Sequence, residues 1–322
     1  MPFKQFDRSR LLIKPLSDRI HDIDENATNI PVGSLTTLSD NSDYESLAER
    51  IKVAREHDAT VLLMYGAHVI RKGNSLYMIE LMKRGLITHF ATNGAGSIHD
   101  FEFAMIGKTC ESVAKYISEG QFGLWKETGY LNDAVNEGAK EGLGFGEAVG
   151  KYIWENNFTN REQSVLAMGY HLQVPCTVHI GIGNDIVHEH PNFNPAAAGE
   201  ASYRDFLIYT NSIEKLQRGV FLNFGSAVTG PEVYLKALAM ARNVKKQHGE
   251  DITDITTAVF DIKPITADVR KEPDKSDPYY YFRPWKTIMS RTVADGGKSY
   301  YFCGDHAETL PNLAERLLRE EE

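Results

Sequence analysis

The chain has 322 residues, 42% of them hydrophobic and 25% charged, which is enough to bury a sizeable core in one or two domains. Its formal net charge of −9, with dispersed basic residues, argues against a nucleic-acid partner or an anionic membrane surface. Three scattered cysteines are too few for a disulfide framework, and no signal peptide or membrane-length apolar run is evident. We therefore expect a cytoplasmic protein.

Helix and strand patterns alternate after an irregular polar opening, residues 1–43, whose role stays open. The predicted helices cover 44–57, 75–84, 202–216, 231–247 and the chain from 307, and residues 108–173 are mostly helical. The predicted strands cover 59–65, 176–182, 219–224, 256–262 and 299–303, with one more ending just before residue 93. Continuous apolar strands between amphipathic helices are typical of a mainly parallel sheet with helices on both faces. We predict one α/β domain over residues 44–322, preceded by an N-terminal extension, 1–43.

The most informative segment is LITHFATNGAGSIHDFEF, residues 86–103. An apolar strand ends there in the small residues 93–97, and a helix is expected to begin just after them. Small residues at a strand's carboxyl end let a ligand approach the backbone, and a helix N-terminus offers N–H groups to an anion. Asp100 is placed to accept hydrogen bonds from ribose hydroxyls. The alternative is an ordinary strand–glycine–helix junction, which is common in α/β proteins.

Small or polar residues follow four of the predicted strands. They are Gly66-Ala67-His68, residues 93–97, residues 181–185 and Gly225-Ser226-Ala227. The carboxyl ends of parallel strands converge on one crevice, so together these loops predict a shared ligand cleft. For any single loop, the stronger interpretation is that the glycine only ends the strand and binds no ligand.

His179, Asp185, His188 and His190 form the densest group of potential metal ligands in the sequence. Three imidazoles and a carboxylate could hold zinc with an open position for water, as in a metal-dependent hydrolase. No HExxH-like signature accompanies them, and Pro191 closes the segment. A polar loop that contacts a ligand is therefore the favoured hypothesis, with ordinary structural histidines as the other alternative.

The aromatic segment 279–286, YYYFRPWK, contains one lysine beside Arg283. Desolvation and a neighbouring cation both lower a lysine pKa, which prepares an amine for imine chemistry. Aromatic residues in the core or at a subunit interface, with Lys286 reaching water, explain the same composition. Composition alone favours this structural interpretation.

Taken in order, these motifs resemble the deoxyhypusine synthase family over roughly residues 55–318. The segment NGAGSIHD resembles the family's glycine-rich nucleotide loop, with its acidic residue at Asp100, and residues 160–185 resemble a helix, strand and Gly-Asp loop that ends on a substrate-amine carboxylate. LNFGSAV, 222–228, stands at a glycine-rich strand end of the family. Pro284-Trp285-Lys286 is similar to the motif that bears the catalytic lysine, and Asp305 matches an aspartate that contacts the nucleotide.

The resemblance implies a Rossmann-like homotetramer that uses NAD to transfer the aminobutyl group of a polyamine such as spermidine. The acceptor is a small amine or a protein lysine. The implied catalytic residue is Lys286, and the implied substrate-binding residues are Asp185, Trp285, Asp277 and His188. The implied cofactor-binding residues are His68, Asn93, Gly94, Ala95, Gly96, Asp100, Gly225, Ser226 and Asp305. No metal is implied.

The chain departs from the family pattern close to the proposed lysine. Its glycine-serine-aspartate loop is replaced by residues 270–277, the acidic position before the lysine is Tyr280, and Trp285 is directly adjacent to Lys286. These differences leave a second hypothesis open, a nucleotide- or amine-binding protein on the same scaffold that lacks transfer chemistry.

Overall fold

The computed structural model describes residues 3–319, in which two sheets are formed. The strands are β1 Ile23–Asp24, β2 Val61–Tyr65, β3 His89–Asn93, β4 Lys108–Thr109, β5 Cys176–His179, β6 Val220–Phe224, β7 Thr256–Asp261 and β8 Lys298–Cys303. Six of them form a wholly parallel sheet in the order β5-β3-β2-β6-β7-β8, and β1 pairs antiparallel with β4. The four strands β2, β3, β6 and β7 carry almost only buried residues, as the apolar runs predict.

The strand order reverses between β2 and β6, the position at which α/β sheets of this kind bind ligands. In the register of the sheet, Tyr65 pairs with Phe224 and Asn93 pairs with His179, so these strands end at one level. The loops that begin at Gly66 and Gly225 therefore lie side by side at the reversal. This is the Rossmann-like arrangement that the resemblance implies.

Helices cover both faces of the sheet. They are α1 Glu25–Thr28, α2 Asp43–Glu56, α3 Ala67–Arg71, α4 Ser75–Lys83, α5 Gly94–Ile106, α6 Val113–Ser118, α7 Tyr130–Lys140, α8 Phe145–Glu155, α9 Val165–Leu172, α10 Pro195–Ile213, α11 Thr229–Gln247 and α12 His306–Leu318. Leu63 of β2 packs into the core shared with α2, α4, α5, α9 and α12, while Leu62 packs into the core of α10 and α11. The two cores follow from the alternation of side chains along a strand.

Helix α10 and the β1–β4 pair are among the features that differ from the sequence-based predictions. Helix α10 begins at Pro195, seven residues before its predicted start, because Asn194 caps its N-terminus by accepting hydrogen bonds from Ala196 and Ala197, and proline suits the first helical turn. The β1–β4 pair was not predicted, since a two-residue strand leaves no periodic pattern. Within residues 3–319, no helix has the length and apolarity needed to cross a bilayer.

Candidate functional site

At the crevice of the strand reversal, the backbones of Gly66 and Gly225 pack against each other. A Cβ atom at Gly66 would lie 2.6 Å from the carbonyl oxygen of Gly225, and one at Gly225, whose φ is +60°, would overlap the imidazole of His306. Glycine is therefore required at both positions for β2, β6 and α12 to converge. The buried Nδ1 atom of His306 has no hydrogen-bond partner within residues 3–319. An unpartnered polar atom at this crevice fits a dinucleotide, whose hydroxyl and phosphate groups would supply one.

Three predicted cofactor residues surround this crevice. His68 lies at the start of α3, and burial, aided by Arg71 and Lys72, lowers its pKa. Asp305 caps α12 through Ala307 and forms an ion pair with Lys72 at 2.6 Å. Ser226 is buried, and its hydroxyl accepts a hydrogen bond from the backbone N–H of the second residue of α11. The crevice therefore brings His68, Asp305 and Ser226 close to Gly225.

On the neighbouring strand, β3 passes directly into α5, so that the small residues 94–97 form the first turn of this helix and not the predicted loop before it. The side chain of Asn93 caps this helix, with Oδ1 accepting a hydrogen bond from the N–H of Gly96 at 2.9 Å. Gly94 is required for a different reason. A Cβ atom there would overlap the carboxylate of Asp185, which follows β5. Gly94, a predicted cofactor-binding residue, and Asp185, the predicted substrate carboxylate, are thus packed directly on each other.

Asp185 is a buried acid without an ionic partner. Its side chain is 7% exposed, and Oδ2 has no hydrogen-bond partner within the described chain. Burial raises its pKa to about 6. The Nε2 atom of His188 lies 3.9 Å from Oδ2, and the pKa of that imidazole is lowered by burial, so His188 supplies no strong positive charge near neutral pH.

Asp185 lines a cleft of about 300 Å³ beside the N-terminal part of α5. Its other polar or ionisable lining residues are Arg19, Arg71, His99, Glu102, Cys110, Glu111 and Asn184. Apolar contacts come from Ala95, Ile98, Val113, Phe122 and Ile186. A concave surface with a few convergent polar groups is typical of a small-molecule site.

One wall of the cleft is a buried polar network around Glu102. The Arg19 guanidinium donates two hydrogen bonds to this carboxylate at 2.8 and 2.7 Å, and Thr109 and Thr128 donate two more. Burial opposes ionisation of Glu102, but these donors outweigh it and hold its pKa below the ordinary value. Because the Thr109 hydroxyl donates to Glu102, it accepts the Nδ1 proton of His99 at 2.8 Å.

This network leaves His99 with a free acceptor. Burial lowers its pKa to about 4, so the ring is neutral at pH 7 with its proton on Nδ1. The Nε2 atom has no hydrogen bond to any residue from 3 to 319 and carries the lone pair. Cys110, at φ +63°, places its sulfur 3.8 Å from the Nδ1 atom of His99, and burial raises the pKa of this thiol. Cys110 is therefore a neutral thiol in the cleft wall.

The carboxylate of Asp100 is not placed where the sequence predicts it. It is 1% exposed, and its two oxygens accept hydrogen bonds from the Ser164 hydroxyl and from the backbone N–H groups of Val165 and Leu166, at 2.5 to 3.2 Å. These are the first donors of α9, so the carboxylate caps that helix instead of facing a ribose. The predicted ribose contact is contradicted because no surface of Asp100 is left for a ligand.

The predicted catalytic segment lies near the opposite edge of the sheet, at strands β7 and β8. Lys286 is on a π-helical turn, Trp285–Ser290, that packs on β7 and β8, where Thr257 donates to the carbonyl oxygen of Ile288 at 3.2 Å. Its Nζ atom lies 4.1 Å from the ring centroid of Tyr280, a cation–π contact. Asp185 follows β5 at the opposite edge, and β5 and β7 are four strand spacings, roughly 19 Å, apart. One chain does not bring Lys286 and Asp185 together.

The neighbours of Lys286 have structural roles. Trp285 is 2% exposed, and its indole N–H donates to the carbonyl of Lys271 at 2.8 Å, so its predicted substrate contact is contradicted. The carboxylate of Asp277 accepts a hydrogen bond from the N–H of Tyr279 at 2.7 Å and orders the loop before the π-helical turn. The predicted substrate-binding residues are therefore divided. Asp185 and His188 lie at one edge of the sheet, and Trp285 and Asp277 belong to the segment near the other edge.

The four candidate metal ligands, which the sequence offered as the less favoured alternative, do not come together. His179 is buried in β5 and shares a hydrogen bond with Thr177, and the Nε2 atom of His190 donates to the carbonyl of Gly123 at 2.8 Å. Across the described part of the chain, no group of three or more His, Cys, Asp or Glu side chains could hold a metal ion. The hydrolase hypothesis is therefore contradicted, because these residues face different neighbours.

Sequence reasoning missed Arg19, Arg71, His99, Glu102 and His306. Two of them had a usable signal, since His99 immediately precedes Asp100 in the recognised loop and His306 immediately follows Asp305. Arg19 had none, because its partner Glu102 is 83 residues away. The N-terminal segment therefore contributes directly to the wall of the cleft.

No family model matches this sequence, and no curated protein is significantly similar to it. Among solved structures, AgrE in complex with ornithine and NAD+ is 14% identical with a TM-score of 0.52, covering 88% of this chain and 34% of AgrE. The chain thus spans about one third of AgrE. A candidate LOR/SDH protein from Methanococcus maripaludis S2 is 12% identical with a TM-score of 0.51, covering 90% of this chain and 73% of its own.

What these two proteins share with this chain is the fold. A candidate deoxyhypusine synthase from Entamoeba histolytica is 9% identical with a TM-score of 0.44, covering 85% of this chain and 87% of its own. A TM-score below 0.5 is too low to support an argument about this chain. Membership of the deoxyhypusine synthase family therefore stays a sequence-based prediction, whereas the Rossmann-like fold is established.

Proposed function

We propose that this chain is an NAD-dependent enzyme that acts on an alkylamine whose ammonium group binds to Asp185. The observation that carries the proposal is the unpaired Oδ2 atom of this buried carboxylate, next to Gly94. A buried charge without a partner costs several kcal/mol, roughly, and an ammonium group in the cleft would remove that cost.

The adjacent crevice supports the NAD part of the proposal. His68, Gly225, His306 and the 93–96 loop would hold the dinucleotide across the strand reversal, where this fold binds such ligands. AgrE, which shares the fold, is described in complex with ornithine and NAD+, an amine and this cofactor together. When bound, NAD would accept a hydride from the carbon next to the substrate nitrogen.

The finer form of the proposal is aminobutyl transfer from a polyamine such as spermidine. The Lys286 amine would attack the oxidised substrate carbon, the C–N bond to the departing diamine would break, and the aminobutyl group would stay on Lys286 as an imine. A small amine or a protein lysine would then displace Lys286 from this imine, and the stored hydride would return to the new imine, so that the transfer has no net redox change. Because Lys286 and Asp185 lie over opposite edges of one sheet, this step requires Lys286 from a second copy, as the predicted homotetramer would provide.

Calorimetric titration with NAD, alone and then with spermidine, tests the binding part. We expect micromolar NAD binding that tightens with the amine, and loss of the amine response in Asp185→Asn. The transfer part is tested by borohydride reduction during turnover followed by peptide mass spectrometry. We expect an adduct on Lys286 that is absent from Lys286→Ala and retained in the exposed control Lys275→Ala.

The distance between Lys286 and Asp185 also favours the second candidate, an amine- and nucleotide-binding protein without transfer chemistry. NAD and amine binding without product across a panel of polyamines would support this candidate and overturn the transfer step. Absence of NAD binding by the folded protein would overturn the enzyme proposal itself.

A further inference from the structure

Five charged side chains line the cleft beside α5, and three of them are already engaged. Arg19 and Glu102 form a buried ion pair at 2.7 Å. Both oxygens of Glu111 are occupied, since Oε1 accepts from the N–H of Gly123 at 2.9 Å and Oε2 from the indole of Trp125 at 2.7 Å. These three groups maintain the wall of the cleft and have little capacity left for a ligand.

The remaining two, Asp185 and Arg71, each keep one buried polar atom without a hydrogen-bond partner. The Oδ2 atom of Asp185 and the Nε atom of Arg71 are both buried and lack a hydrogen-bond partner among residues 3–319. The guanidinium contacts only the Nε2 atom of His68, at 3.4 Å, and makes no ion pair with a described acid. An arginine that is partly buried without an acidic partner is uncommon, because desolvation of its charge is not offset.

Asp185 and Arg71 also do not neutralise each other. No ion pair joins them, and a nearby guanidinium would lower the pKa of Asp185, whereas burial alone raises it. Arg71 lines the cleft together with His99 and Cys110. The cleft therefore has one negative group, Asp185, and one positive group, Arg71, that no opposite charge of the described chain neutralises.

We propose that this cleft binds a zwitterion, with a cationic amine at Asp185 and a carboxylate at Arg71. An amino acid contains the alkylamine that the proposed function requires together with a carboxylate, so this substrate class would replace the polyamine named in the finer form of that proposal. The free Nε2 atom of His99 would accept one N–H of the bound ligand, since the Thr109–Glu102 network keeps the proton on Nδ1. A volume of about 300 Å³ suits a molecule of this size. The amine end rests on the proposed function, whereas the anionic end is independent of it.

Calorimetry without NAD tests the inference with a matched ligand pair. L-Lysine and cadaverine differ only by one carboxylate, and spermidine is the polyamine that the sequence predicts. We expect wild-type protein to bind L-lysine at least about tenfold more tightly than cadaverine or spermidine, a difference of about 1.4 kcal/mol. Arg71→Gln should abolish this preference by weakening L-lysine alone, and Asp185→Asn should weaken all three ligands.

Two further variants complete the design. Arg71→Lys keeps the charge without the planar fork and should retain part of the preference, which protects the test if Arg71→Gln folds poorly. Arg84→Gln, at an exposed arginine paired with Glu80 on α4, is the matched control and should bind as wild type does. Thermal unfolding of each variant verifies that the fold is retained.

Three results would overturn the inference. Cadaverine or spermidine could bind as tightly as L-lysine, or the preference could survive in Arg71→Gln. Alternatively, Arg71→Gln could weaken NAD and leave L-lysine unchanged, which would assign Arg71 to a nucleotide phosphate. Because affinity is measured without NAD, a lysine preference in a protein that binds no NAD would contradict the proposed function and leave this inference standing.

Discussion

The carboxylate of Asp185 occupies the space that a side chain at Gly94 would fill. This contact joins the first residue of α5 to the loop after β5 and places an acid at the start of α5. Glycine at position 94 is therefore required by the neighbouring carboxylate, and its backbone lies within the site.

Gly94→Ala should displace Asp185 and weaken amine binding by about tenfold or more, with a stability loss of about 1–3 kcal/mol from overpacking. Calorimetry and urea unfolding measure the two effects. Gly199→Ala on α10 is the matched control, since a Cβ atom there meets no other atom within 4 Å. Unchanged amine affinity in Gly94→Ala would show that the position of Asp185 is irrelevant to binding.

Amine affinity should depend on the ionisation of Asp185. Its pKa is about 6, so below pH 5 the carboxyl is mostly protonated and above pH 7 it is mostly charged. An ammonium ligand binds the charged form, and we expect affinity to rise from pH 5 to pH 7 and then level off. Asp185→Asn should give a flat profile, whereas Asp277→Asn should keep the rise. A rise that persists in Asp185→Asn would assign the titration to another group.

Asp100→Asn should reduce stability without altering the cofactor site. The carboxylate caps α9 through three hydrogen bonds, and the loss of part of them in the buried state costs about 1–3 kcal/mol. Urea unfolding should show this loss, and calorimetry at a temperature where the variant is folded should show unchanged NAD affinity. The opposite result, full stability with weakened NAD binding, would restore the predicted ribose contact.

Asp205 should make stability depend on pH. Burial raises its pKa to about 8, although the N–H groups of Val178 and Gly146 donate to it. Between the unfolded value near 3.8 and the folded value, the unfolded chain is ionised and the folded chain is not, so this contribution to stability is lost as pH rises from about 4 to about 8.

The slope should reach about 1.4 kcal/mol per pH unit at most. Asp205→Asn keeps an oxygen for the same donors and should flatten the profile of the unfolding free energy between pH 6 and pH 8. Glu200→Gln, exposed on the same helix, is the control and should leave the slope unchanged. An equal slope in Asp205→Asn and wild type would place the titration elsewhere.

Much of the fold could be read from the sequence because its signals are local. The run VLLMY at 61–65 is buried along its whole length, and helix α2 begins within one residue of its predicted start. The end of β3 at Asn93 was likewise recognised from an apolar run followed by small residues, although these residues begin α5 and do not form a loop. For Asp100, the same reasoning identified an unusual acid but not its partner, since Ser164 is 64 residues away.

The sequence by itself determined the parallel α/β architecture and the strand ends at which a ligand would bind. Apolar runs, helical spacing and glycines at strand ends are properties of neighbouring residues, and they specify elements wherever these lie in space. Only the tertiary structure decided which side chains share a cleft. Arg71, Asp185 and His99 line one cleft because the strand order brings distant segments together. Burial then shifts the pKa values of Asp185 and His99 in ways that no local sequence pattern records.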